Sequence, residues 1–240
     1  MSELITIHGA SKRFPNGNDV ITALRNVDFT LNAGELVAVT GRSGSGKSTL
    51  LRVCAGIEVV DEGTVNVLGT SLDSASLADV ARVRRDHVGV VFQQLNLLPS
   101  LTAKENAALP LELGGTSVNE ANEAAEQALA SVGLSQRLDL FPDQLSGGEQ
   151  QRVAIARAVV GSRRILLADE PTAALDERTG DSILELLRAQ ADAGIGVMLV
   201  THDRALAGLA DRVVDLRDGE VSSIVTRPDV ETELAGFWHE

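Results

Sequence analysis

The sequence predicts an α/β fold with a mainly parallel core sheet, an antiparallel β segment at the N-terminus and a helical insertion. Three observations carry this. Short apolar strands alternate with helical stretches along most of the 240 residues, the pattern of a parallel sheet covered on both faces by its own crossover helices. A glycine-rich loop joins one of those strands directly to a helix. From about residue 96 the strand signal stops, and proline, paired glycines and an alanine-rich helix take its place until about residue 149.

Size and composition set bounds before any motif is read. The length suits one α/β domain spanning 1–240, with room for a large core. Residues are 44% hydrophobic but only 2% aromatic, so the core must rest on Leu, Val, Ile and Ala. A formal net charge of −13 argues against a surface devoted to nucleic-acid backbone or anionic lipid, and no nucleic-acid partner is expected. Cys54 is the only cysteine, which excludes an internal disulfide and reads as a small buried side chain. No run approaches the roughly 18 apolar residues of a membrane span, and the first residues lack a signal pattern. The expectation is a cytosolic protein whose membrane role runs through a partner.

In order, the chain opens with strand patterns at 4–7, 21–24 and 27–31 around turn chemistry at 14–18. The apolar strand 35–40 then meets Gly41, Arg42, Ser43, Gly44, Ser45, Gly46, Lys47, Ser48 and Thr49, and a helix follows. Strand, glycine loop, helix is the context a phosphate-binding loop requires. Gly41, Gly44 and Gly46 can take φ values closed to other residues, and the exposed N–H groups with the helix N-terminus face an anion. Lys47 is expected to reach the β- and γ-phosphates and Ser48 to ligate Mg²⁺.

A strand at 64–67, a helix at 72–85 and a strand at 87–92 come next, then the insertion with its helix at 118–132. Beyond it lie a helix at 152–160, an apolar strand at 164–170, a helix at 178–191, a strand at 196–201 and a short helix at 204–210. Segments 213–216 and 220–224 form a hairpin over Asp218 and Gly219. The tail from 226 is acidic, with Phe237 and Trp238 packing locally. Asp169 ends a buried strand, so its carboxylate emerges where Mg²⁺ needs an acidic partner; Glu170 is placed to polarise a water as general base. A strand that merely ends in exposed acids is the alternative. In Leu145-Ser146-Gly147-Gly148-Glu149-Gln150-Gln151-Arg152, Ser146 stands as N-cap before two glycines and a helix, which makes a second anion site. One chain cannot easily bring two such helix ends to one γ-phosphate, so a second copy is implied.

With these motifs in order, the chain resembles the ATP-binding subunit of ABC transporters over essentially 4–224. The resemblance implies a P-loop NTPase (ABC ATPase) fold that uses ATP and Mg²⁺. It divides the chain into a core (1–95 and 150–225) with its β subdomain, a helical subdomain (about 96–149) and a tail (226–240). It implies that Phe14, in a loop where Tyr is more usual, stacks on adenine, and that Gln93 touches Mg²⁺ and water. His202 contacts the γ-phosphate, and Ala174, Leu175 and Asp176 form the loop that crosses to the opposite protomer. The signature motif ends in Glu149 where the commonest form has Gln. Two copies close head to tail, each ATP lying between one phosphate loop and Ser146, Gly147, Gly148, Glu149 and Asp176 of the other. His8, His87 and His239 receive no role.

Residues 90–106, Leu109-Pro110-Leu111 with Gly114-Gly115, and 203–212 further resemble the MacB, LolD and FtsE group. That implies a separate FtsX/MacB-like membrane permease and a place on the inner face of the cell membrane. Leu95, Leu97, Leu98 and Leu101 either line a groove for the permease or pack in the core. The competing readings are control of cell-wall hydrolysis through a non-transporting permease, or a soluble ATPase of the same family working on ribosomes or nucleic acid. A small-molecule kinase is opposed by the signature stretch and Glu170.

Overall fold

Alternating burial in the first thirty residues builds a long hairpin. Strands β1 (Glu3–Asn16) and β2 (Asp19–Asn32) pair antiparallel, burying Leu4, Ile5, Ile7 and Ala10 against Leu24, Val27, Phe29 and Leu31. The structure, a computed structural model, describes residues 2–17, 19–173, 175–202 and 208–226. Cross-strand pairing carries β1 and β2 through polar stretches that read as gaps in the sequence, with bulges where the register shifts. Phe14 is therefore a strand residue opposite Ile21 rather than part of a turn. Strands β4 (Glu62–Val67) and β5 (Thr70–Ser71) complete a four-stranded antiparallel sheet ordered β2-β1-β4-β5.

The second sheet has six strands. These are β3 (Leu36–Thr40), β6 (Val88–Val91), β7 (Ile165–Asp169), β8 (Gly196–Val200), β9 (Arg212–Arg217) and β10 (Glu220–Thr226), ordered β10-β9-β3-β8-β7-β6. All its pairs are parallel except the edge hairpin β9–β10, in agreement with the sequence. Alternate residues feed two cores. Leu36, Ala38, Leu166, Ala168, Val197 and Leu199 join one cluster, while Val37, Val39, Ile165, Leu167, Met198 and Val200 join the other. The strands are apolar on both faces because neither face meets water.

Of the helices α1 (Lys47–Cys54), α2 (Leu77–His87), α3 (Ala103–Leu113), α4 (Val118–Ser131), α5 (Gly147–Val159) and α6 (Glu177–Asp192), α1, α2, α5 and α6 pack on strands, whereas α3 and α4 pack mainly on each other and on α5. Capping boxes start three of them: Thr102 with Glu105, Ser117 with Glu120, and Ser146 with Glu149. This is why α5 begins at Gly147, five residues before its apolar periodicity becomes visible. Ser76 likewise starts α2 later than the pattern suggests, leaving Leu72 to the core. The predicted helix at 204–210 lies mostly outside the described residues, as does the tail with Phe237, Trp238 and His239. No helix among the described residues is long and apolar enough to cross a membrane.

Candidate nucleotide site

Four neighbouring strands deliver the candidate residues to one edge of the sheet. Val39 and Asp169 both stand opposite Val200, and Val91 opposite Ala168. The strands β3, β8, β7 and β6 thus end nearly level, and the phosphate loop, His202, Glu170 and Gln93 leave the sheet together. Ligands bind at such carboxyl ends in open parallel sheets.

The loop after β3 needs its glycines. Gly41 and Gly46 have φ of 142° and 105°, and a side chain would meet the Leu216 carbonyl at the first and the Ala23 carbonyl at the second. Lys47 is buried, its ammonium donating to the Gly41 carbonyl at 2.7 Å and the Arg42 carbonyl at 3.0 Å. The lysine thus ties the loop into a closed turn around its own charge. Arg42, Ser43 and Gly44 are exposed, whereas Ser45 is buried. Behind the loop, burial pushes the thiol of Cys54 up, which suits a packed and inert side chain.

The Ser48 hydroxyl donates to Asp169 Oδ1 at 3.2 Å, across 121 residues of sequence. Burial raises the Asp169 carboxyl above its ordinary value; the Ser48 hydrogen bond opposes this, and the neighbouring Glu170 charge adds a smaller push upward. Two hard oxygen donors held side by side, one of them anionic, fit a small divalent cation.

Glu170 has φ of +48°, a left-handed conformation that costs a non-glycine residue about 1 kcal/mol or more. Its N–H donates to the Val200 carbonyl at 2.9 Å, which fixes the turn. The carboxylate then faces His202, whose Nδ1 lies 2.9 Å from both oxygens. Sequence spacing gave no sign that these two side chains touch, because the contact depends on β7 and β8 being neighbours. Gln93 is exposed just beyond β6. Phe14, half-buried on β1, already carries the Lys12 ammonium 5.2 Å from its ring centroid.

A second cleft is lined by Ser146, Gly147, Gly148, Glu149, Asp176 and Thr179 among others, and by none of residues 41–49. Ser146 caps α5 and Asp176 caps α6, accepting from the Thr179 N–H at 3.1 Å and its hydroxyl at 2.7 Å. A side chain at Gly148 would press on the Thr179 methyl, so the two helix ends are packed together. Glu149 turns its carboxylate back onto Ser146 and onto Arg137. Arg137 and the Arg152–Ser182 bond of 3.0 Å escaped the sequence reading, since nothing local marks a partner 12 or 30 positions away. Ala174 lies outside the described residues.

Of the leucines after β6, Leu95 and Leu97 pack on the core while Leu98 is exposed. Asn106, fully buried, clamps this segment by donating to the Leu98, Leu101 and Thr102 carbonyls and accepting from the Leu98 N–H.

Comparison with known proteins places the whole chain. The family model described as "ABC transporter" matches residues 24–173. The probable syringafactin export ATP-binding/permease protein SyfD of Pseudomonas syringae is 43% identical over 218 residues, covering 91% of this chain and 33% of that protein. The macrolide export ATP-binding/permease protein MacB of Chromobacterium violaceum is 41% identical over 217 residues, covering 90% and 34%. The chain thus spans about a third of the length of these relatives. Among solved structures, the dimeric structure of MJ0796, described as a bacterial ABC transporter cassette, superposes with a TM-score of 0.86 at 39% identity, covering 93% of this chain and 99% of that one. A second dimeric structure of MJ0796, a post-hydrolysis state bound to ADP and Pi, gives the same values. By this family match and this likeness to solved cassettes, the chain belongs to the ABC transporter family, as an ATPase cassette with the P-loop NTPase fold.

Proposed function

We infer that this cassette hydrolyses ATP between two copies of itself, arranged head to tail, and so drives a membrane permease of the MacB/FtsX kind from the inner face of the cell membrane. One observation carries the reading: the phosphate loop and the Ser146 cleft are separate surfaces, and no residue of the loop lines the cleft. Each half has what the other lacks. Gly41 to Thr49 offer a cradle of backbone N–H groups with Lys47 behind it, while Ser146, Gly147 and Gly148 offer a capped helix end. Phe14 gives the adenine an apolar face, and Asp176 meets the same nucleotide from the partner's side.

Ser48 and Asp169, already hydrogen-bonded to each other, would hold Mg²⁺, with Gln93 as the third ligand the family resemblance implies; when bound, the ion neutralises charge on the phosphate oxygens. Glu170 accepts the proton of the attacking water. His202, hydrogen-bonded to the same carboxylate, orients it and faces the γ-phosphate. The chain's work is positioning and charge compensation, which is what phosphoryl transfer asks of a protein.

Replacing the base should stop the cycle at its closed stage. Glu170→Gln is expected to abolish turnover and to elute at doubled mass on size exclusion when ATP is present. Normal hydrolysis by that variant, or a monomer at saturating ATP, contradicts the reading.

A further inference from the structure

The helix end proposed to receive a phosphate carries an acid. Glu149 closes the capping box of α5: its Oε2 accepts from the Ser146 N–H and hydroxyl, both at 2.9 Å, and its own N–H donates to Ser146 Oγ at 3.3 Å. A glutamine closes the same box, so capping does not require the charge. An incoming anion is repelled by it, because it sits on the turn whose free N–H groups and positive dipole end attract phosphate.

Arg137 answers that charge. It lies between α4 and the turn Pro142–Gln144, and its Nε donates to Glu149 Oε1 at 2.7 Å. This bond, ahead of those from Ser146, holds the Glu149 carboxyl down at about 2, so the acid is ionised under all working conditions. Arg137 is 47% exposed, and a pair so open to water adds little to fold stability. Arg137 reaches the cleft only through Glu149; the arginine that lines it, Arg152, is committed elsewhere, donating to the Val132 carbonyl at 2.8 Å and to the Ser182 hydroxyl at 3.0 Å. Asp176, the second acid there, is turned onto Thr179.

We propose that Arg137 is a positioning residue of the shared pocket: it fixes and neutralises Glu149, so that the N-terminus of α5 still attracts the triphosphate carried by a second copy of the chain. The inference rests on the head-to-tail reading above.

The test is a double-mutant cycle in the Glu170→Gln parent, reading the ATP concentration that gives half-maximal dimer by light scattering. Arg137→Gln raises that concentration about fivefold, the upper worth of a screened pair, and the defect shrinks in about 0.5 M salt. Adding Glu149→Gln to Arg137→Gln returns it to within about twofold of the parent, since an uncharged box needs no counter-charge. ATP affinity of the monomer, measured by calorimetry below the dimerising concentration, is the same in each. A double variant as impaired as Arg137→Gln alone makes Arg137 a structural prop and overturns the proposal, as does an Arg137→Gln protein indistinguishable from the parent. A parent that never dimerises removes the head-to-tail reading and this inference with it.

Discussion

Asp169 meets two opposed demands. The apolar strand that aims its carboxylate at the phosphate loop also strips it of water and sets it beside Glu170, and both effects disfavour the charged form. A folded-state value above the ordinary one means that stability is fullest in acid and is lost as pH rises through the raised value. At neutral pH the ionised group therefore costs the nucleotide-free fold free energy, which a bound cation would recover. Asp169→Asn should raise the melting temperature of the nucleotide-free protein at pH 7 by roughly 2 °C, and the gap from wild type should close as pH falls and the native carboxyl takes up its proton. An unchanged or lower melting temperature at pH 7 contradicts this. Glu149 behaves oppositely: with its carboxyl lowered to about 2, its contribution is present at neutral pH and is lost progressively as pH falls from the ordinary carboxylate range through that value.

At the scale of elements, helix α5 shows how a packing contact sets a functional position. It crosses the sheet at β6, where a Cβ on Gly89 would run into the Ala158 backbone carbonyl. Strand and helix approach that closely only because position 89 has no side chain. Gly89→Ala should cost about 1–3 kcal/mol, read as a lower urea midpoint with an unchanged slope; an unaltered midpoint shows the contact to be soft. Nothing in the sequence singles out Gly89, since its partner is 69 positions away and the run around it reads simply as strand. The start of α5 was legible only in part: Ser146 reads as an N-cap, but the apolar periodicity begins at 152, five residues after the helix does. The turn at 41–49 was legible because it is local, with glycine, lysine and hydroxyl all contributed by one stretch between strand and helix.

For the whole molecule, the surfaces left over decide what it works with. The relatives it matches are named as ATP-binding/permease proteins, and this chain covers about a third of each. Its exposed Leu98 stands on a segment held firmly by Asn106 and by Arg157, which donates to the Leu95 and Asn96 carbonyls at 2.6 and 2.8 Å. Isolated with detergent from its own cells, the chain should bring with it an integral-membrane permease; co-purification of ribosomes or nucleic acid instead would favour a soluble partner.

The sequence by itself determined the local features: a glycine-rich turn between strand and helix, a strand that ends in acids, an N-cap at Ser146, and a mainly parallel sheet. These follow from residues within a few positions of one another, or from a periodicity repeated along the chain. Only the tertiary structure decided that Ser48 reaches Asp169, that His202 closes on Glu170, that Arg137 answers Glu149 and that Phe14 belongs to a strand. Each of those depends on strand order, register or helix docking, set by the burial of many side chains together and written in no single stretch of the chain.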